Sequence, residues 1–127
     1  IEQSRASKDA NMDELYAMLD RLPMYRSKYY LTALDLKTIK VPSQMADIHL
    51  GLANTFFNIA LAIEEIALFK KDPIVGMIGM QTYGNQVPRM QELMVQTKKI
   101  FESNHITFTD SDPGNRFTIY FDRLKNL

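Results

Sequence analysis

The stretch that decides the fold runs from Ser43 to Pro73 and reads SQMADIHLGLANTFFNIALAIEEIALFKKDP. It has no proline before its last residue, and apolar side chains fall on nearly every side of a helical wheel. That pattern is typical of a central, mostly buried helix. Asp72 can cap a following helix, and Pro73 can occupy its first turn without losing a useful hydrogen-bond donor. The sequence therefore predicts two long antiparallel helices joined at Asp72.

The residues before this stretch predict another helix. An apolar stripe with helical spacing comprises Met12, Leu15, Tyr16, Met18, Leu19 and Leu22. Pro23 is expected to interrupt that helix, and a second helical piece is predicted up to about Leu36. The residues that follow, up to Val41, are expected to be extended, because a residue before proline is pushed out of the helical region. Residues 1–10 are polar with little periodicity, which predicts a flexible or weakly helical leader.

The residues after Asp72 predict a third long helix. Each of its three glycines, at positions 76, 79 and 84, costs about 1 kcal/mol in a helix interior unless close packing compensates, so a neighbouring backbone is expected to come near. If the helix continues through Pro88, a kink is expected there. The helix should end between Ser103 and His105.

The C-terminal segment leaves two interpretations open. The positions of Phe117, Tyr120, Phe121 and Leu124 fit an amphipathic helix, whereas Phe117, Ile119 and Phe121 alternate as in a strand. We favour the helix, because Ser111, Asp112 and Pro113 resemble a helix start. The predicted fold class is all-α, a small antiparallel helical bundle of three to five helices with at most a short extended segment, and residues 11–127 form one domain.

Composition narrows the function classes. With 127 residues, 46% hydrophobic and 24% charged, the chain is expected to fold in water around one core. Its formal net charge is zero, which argues against nucleic acid as a partner, and the absence of cysteine excludes disulfides and thiol catalysis. The uncharged apolar run 48–63 is shorter than the ~20 residues of a spanning helix. Because the chain begins with Ile1, a missing N-terminal targeting segment or anchor is expected to be its only link to a membrane.

One spacing suggests a metal site. Glu102 and His105 form a Glu-x-x-His pair, which places a carboxylate and an imidazole on one helix face, as in di-iron bundles. No second pair exists in the sequence, and by helix height only His49 or Asp47 could complete the set. The favoured interpretation is a polar helix end together with a hydrogen-bonded structural histidine, so no cofactor and no catalytic residue is predicted.

Three other groups are candidates for a ligand or partner surface. The tyrosines at 25, 29 and 30 alternate with basic residues and could stack on single-stranded nucleic acid or on a peptide, of which the zero net charge favours the peptide. The amides of Asn54 and Asn58 lie four residues apart in the most apolar helix and need partners there. Methionines can form an adaptable apolar face. The candidate surface residues are Tyr25, Tyr29, Tyr30, Asn54, Asn58, Met77 and Met80.

Several short motifs together resemble a known group of proteins. They are His49-Leu50 with Asn54, then Asp72-Pro73-Ile74 with Gly76 and Tyr83, then Asp112-Pro113-Gly114. Their order over residues 42–117 resembles uncharacterised bacterial helical proteins that are predicted to sit outside the membrane behind one N-terminal anchor. The resemblance implies an extracytoplasmic location only, and it assigns neither an activity nor catalytic residues.

The sequence favours a non-enzymatic interaction or scaffold domain whose partner is another protein. The alternative is a bundle that binds a small apolar ligand in a cavity between helices, lined by the glycines from Gly76 to Gly84 and the methionine face. A metal-binding bundle is the remote alternative.

Overall fold

The computed structural model of the chain describes residues 2–116, with side chains from Ala10 onward. Its three long helices are α1 (Glu2–Thr38), α2 (Ala46–Ala67) and α3 (Pro73–Ser103), and a 3₁₀ turn (Ser43–Met45) precedes α2. No strand occurs in this part of the chain, so the all-α class is confirmed. The extended segment expected before Pro42 is a short non-helical link.

The predicted interruption at Pro23 is wrong, because α1 continues through this residue. Proline removes one hydrogen bond and strains the preceding turn at a cost of about 3 kcal/mol. Packing explains why the helix survives: Leu19 before the proline and Ala33 after it are both buried against the rest of the fold. Residues 2–10 are helical as well, so no helix break separates the predicted leader from the domain.

The central position of α2 is confirmed. Both α1 and α3 pack along α2, and contacts between α1 and α3 are sparse, so the three helices form an open layer with α2 in the middle. The buried residues of α2 occupy about half of its circumference, around Ile59 and Ile63. The expectation of a mostly buried helix is therefore only half right, since the opposite side of α2 faces solvent.

The turn between α2 and α3 forms as predicted. The side chain of Asp72 accepts hydrogen bonds from the backbone N–H groups of Ile74 (3.1 Å) and Val75 (3.2 Å), and Pro73 occupies the first helical position. These contacts satisfy two donors that a helix leaves unpaired at its start. The turn reverses the chain, so α3 runs antiparallel to α2.

We expect the variant Asp72→Ala to lose about 0.5–2 kcal/mol of unfolding free energy, because alanine cannot accept those two hydrogen bonds. Urea denaturation followed by circular dichroism measures the loss. Asp13→Ala, at an exposed position inside α1, is the matched control and should lose nothing, since alanine favours a helix interior. Equal stability of the two variants would contradict the capping role.

The glycines of α3 and its C-terminal end follow the sequence predictions with one exception. Gly76 lies directly against Phe69 and Gly79 against the backbone of α2, whereas Gly84 faces open space, so close packing was wrongly expected there. The helix continues through Pro88 and ends at Ser103.

The segment after α3 consists of turns. Its Asp112 carboxylate accepts hydrogen bonds from the backbone N–H (2.7 Å) and the hydroxyl (2.9 Å) of Thr109, which hold the pKa of Asp112 below its usual range. The alternative of helix or strand for Phe117–Leu124 concerns residues outside the described part of the chain.

Candidate interaction surface

The solvent-facing side of α2 carries large apolar side chains in a row. We call this row the outer stripe. Its apolar members are Leu50 (57% exposed), Phe57 (40%), Leu61 (42%) and Leu68 (43%), of which Leu68 is the C-cap residue directly after α2. Two exposed polar residues, Asn54 and Glu64, complete the row. The stripe was not predicted from the sequence, because apolar residues fall on nearly all sides of α2 and their spacing does not show which side is exposed.

The other side of the layer has an open groove, the tyrosine groove, with a volume of about 390 Å³. Its walls come from α1 and α3 and its floor from α2, and its lining residues are Leu22, Tyr25, Tyr29, Ile63, Ile66 and Tyr83. The groove exists because α1 and α3 pack on α2 without closing over it. Tyr25 and Tyr29 were predicted from the sequence as residues of a ligand or partner surface, whereas Tyr83 was not. The signal for Tyr83 was its position one turn after Gly79, whose close packing fixes this face of α3 next to α2.

The three predicted tyrosines do not share one patch. Tyr29 packs on Phe56 near the tyrosine groove (ring centroids 5.8 Å apart), whereas Tyr30 packs on Phe57 of the outer stripe (5.7 Å). Adjacent helical residues point about 100° apart, which separates their two rings. The guanidinium of Arg26 lies 4.8 Å from the centroid of the Tyr30 ring.

Arg26 also forms an ion pair with Glu64 (Nη2 to Oε2, 3.1 Å). The outer stripe therefore has an aromatic and cationic border on its α1 side.

The two predicted asparagines also separate. The Asn58 amide donates a hydrogen bond to the Gln86 side chain across the interface between α2 and α3 (3.4 Å). Asn54 is exposed on the outer stripe, where water can satisfy its amide. Asn58 thus contributes to the register of the two helices, and only Asn54 is available to a partner.

Met77 and Met80 are both exposed on α3. Met80 follows Gly79, which packs on α2, and Met77 follows Gly76, which packs on Phe69 after α2, so each side chain points about 100° away from that contact. They are accessible to a partner, and neither belongs to the lining of the tyrosine groove.

The candidate metal ligands are not gathered into one site. The Nε2–H of His49 donates to the carbonyl of Leu36, which joins the end of α1 to α2. Glu102 pairs with Lys98 (3.6 Å), and His105 lies exposed just beyond α3 with a positive φ of 55°. Among residues 10–116, whose side chains the structure describes, no group of three or more histidine or acidic side chains is arranged to hold a metal ion.

By length and composition, the segment Ser43–Ala67 could cross a membrane, and 33% of its most apolar window is buried in the fold. The uncharged run 48–63 is shorter than this segment because Asp47 and Glu64 bound it, so the length expected from the sequence was too small. Within this fold, however, α1 and α3 flank α2 and carry charged residues such as Arg26 and Arg89 at the same level. Charges at the centre of a bilayer are costly, so the packing favours α2 as the core helix of the layer.

Comparisons of the chain with family models, with curated proteins and with solved structures found no match.

Proposed function

We propose that this chain is a non-enzymatic interaction domain that binds other proteins through the two apolar sides of its helical layer. The observation that carries the proposal is the outer stripe, where the most apolar helix keeps four large apolar side chains at least 40% exposed. Single exposed apolar residues are ordinary on a protein surface, whereas a contiguous apolar patch with a polar border marks an interaction site. Here Phe57 and Leu61 are neighbouring members near the middle of the stripe, and the polar residues Asn54, Glu64 and Arg26 flank them.

The tyrosine groove supports the same function. Tyrosines are enriched at protein interfaces because they combine a large apolar ring with a hydroxyl that can hydrogen-bond. Tyr25 and Tyr83 stand on opposite walls of the groove, and both are partly exposed above the isoleucines of its floor. This arrangement fits an apolar side chain of a partner, held between two rings whose hydroxyls reach the partner's backbone.

A second candidate is the binding of a small apolar ligand in the same groove. Its volume lies within the range of about 300–1,000 Å³ that is usual for ligand sites. The groove is open along one side, however, and would leave much of a small ligand in water, which favours a protein segment. The predicted contribution of the glycines is not supported, because Gly76 packs against Phe69 in the turn after α2 and Gly79 packs against the backbone of α2. The extracytoplasmic location is also part of the proposal and rests on the resemblance.

Photo-crosslinking in the cells that produce the protein tests this function. A benzophenone amino acid is placed at Tyr25 in the groove, at Leu61 on the stripe, and at Lys99, an exposed control position on α3. We expect discrete protein adducts from Tyr25 and Leu61 and none above background from Lys99. Adding Tyr83→Ala should reduce the Tyr25 adduct at least about tenfold, since truncating a central aromatic residue typically costs 2 kcal/mol or more of binding energy.

Adduct yields at Tyr25 and Leu61 no higher than at Lys99 would contradict the proposal. The ligand alternative predicts a different result: position 25 gives no protein adduct, native mass spectrometry shows a bound small molecule, and Tyr83→Ala removes that molecule. In that case the groove binds a small ligand and not a protein.

A further inference from the structure

The outer stripe has a spacing that is symmetric about its own centre. Its members lie at positions 50, 54, 57, 61, 64 and 68, so the steps along α2 are four, three, four, three and four residues. Such alternation keeps all six side chains on one seam of the helix, as in a coiled coil. The sequence of steps is the same from either end, with its midpoint at Ile59.

We propose that the outer stripe docks a second copy of this chain, with the two α2 helices antiparallel about a two-fold axis at the level of Ile59. The inference rests on the proposed function and names the partner of one of its two surfaces. In this register, two residues lie opposite each other across the axis when their residue numbers add up to 118. Leu50 therefore lies opposite Leu68 of the other copy, and Phe57 lies opposite Leu61. A two-fold axis makes each of these contacts twice.

The polar residues of the stripe are complementary in the same register. Asn54 lies opposite Glu64 of the second copy, which brings an amide donor to a carboxylate acceptor at two symmetric places. The carboxylate of Glu64 already accepts a hydrogen bond from Arg26 (3.1 Å). Its side chain is still 54% exposed, so it can accept a further hydrogen bond. The two copies do not repel each other, because the formal net charge of the chain is zero. A parallel pair would instead place glutamate opposite glutamate.

The shape of the layer permits this approach. The buried residues of α2 centre on Ile59 and Ile63, so the flanking helices lie toward that side and α2 protrudes on the stripe side. The stripe is about 27 Å long, so the two α2 helices can pack along its length at the separation of about 8–10 Å that is usual for packed helices. Tyr30, packed on Phe57, extends the apolar contact beside the axis.

Cysteine crosslinking tests both the partner and the register, and the chain has no cysteine of its own to interfere. We prepare full-length Leu50→Cys and Leu68→Cys variants and oxidise each alone and after mixing. In the antiparallel dimer the two copies of position 50 are about 27 Å apart, far beyond the 4–7 Å that a disulfide spans between Cα atoms. We therefore expect covalent dimers from the mixture and none from either variant alone. Crosslinking of each variant alone would overturn the proposed register.

Sedimentation of the unmodified chain should give a dimer of twice 14.7 kDa. Leu61→Glu places charges beside the axis and should raise the dissociation constant on the order of 100-fold with unchanged circular dichroism. Leu31→Glu, a matched change at a position of α1 that is 56% exposed, should leave the dimer intact. A monomeric parent chain overturns the dimer. If the chain is a monomer but the benzophenone amino acid at position 61 still gives adducts with other proteins, the proposed function stands and only the dimer is overturned.

Discussion

The variant Ile59→Ala should lose about 2–5 kcal/mol of unfolding free energy, the usual cost of truncating a large buried aliphatic side chain. Ile59 is fully buried at the middle of α2, on the side toward which both neighbouring helices lie. Alanine removes apolar contacts and leaves a cavity. Because α1 and α3 are already held against α2 along their lengths, they cannot both move to fill that cavity, and the loss should fall in the upper part of this range. Urea denaturation followed by circular dichroism provides the measurement.

The matched control is Ile74→Ala, which removes the same atoms from a side chain that is 72% exposed in the first turn of α3. We expect a change of no more than about 0.5 kcal/mol, because little apolar surface is buried there. Similar losses at positions 59 and 74 would show that the buried side of α2 has been assigned incorrectly.

The importance of Ile59 could not be derived from the sequence alone. Leu61 and Ile63 are similarly apolar and lie two residues apart, yet Leu61 is 42% exposed and Ile63 only 4%. A helix with apolar residues on all sides carries no pattern that indicates which side is buried. The positions of α1 and α3 decide this, and these positions depend on tertiary packing. For the same reason the outer stripe was not recognised from the sequence.

Local chemistry explains the predictions that were correct. Asp72 begins α3 because its carboxylate supplies the acceptors that a helix start needs, and this requires no knowledge of distant residues. Pro23 shows the limit of such local rules, since it stays inside α1 where packing on both sides outweighs one lost hydrogen bond. In the candidate surface, Tyr25 and Tyr29 share a helix face through their spacing of four residues, whereas their proximity to Tyr83 depends on how α3 packs.

Alanine substitutions at two glycines of α3 should change stability in opposite directions. A Cβ atom at Gly79 would lie 2.7 Å from the carbonyl oxygen of Ala62 and 2.8 Å from the backbone nitrogen of Ile66. Both atoms belong to the backbone of α2, so the helices must move apart along their interface. Overpacking of this kind costs about 1–3 kcal/mol, and the contact with two backbone atoms places Gly79→Ala in the upper part of that range.

Gly84→Ala is the matched variant in the same helix, and a Cβ atom there meets nothing within 4 Å. Alanine lowers the conformational entropy of the unfolded chain and favours the helix, so this variant should gain about 0.5–1 kcal/mol. Thermal and urea unfolding of the two variants beside the parent chain provide the comparison. If Gly79→Ala is as stable as Gly84→Ala, α3 does not pack against α2 at Gly79, and the placement of Tyr83 on the groove wall loses its support as well.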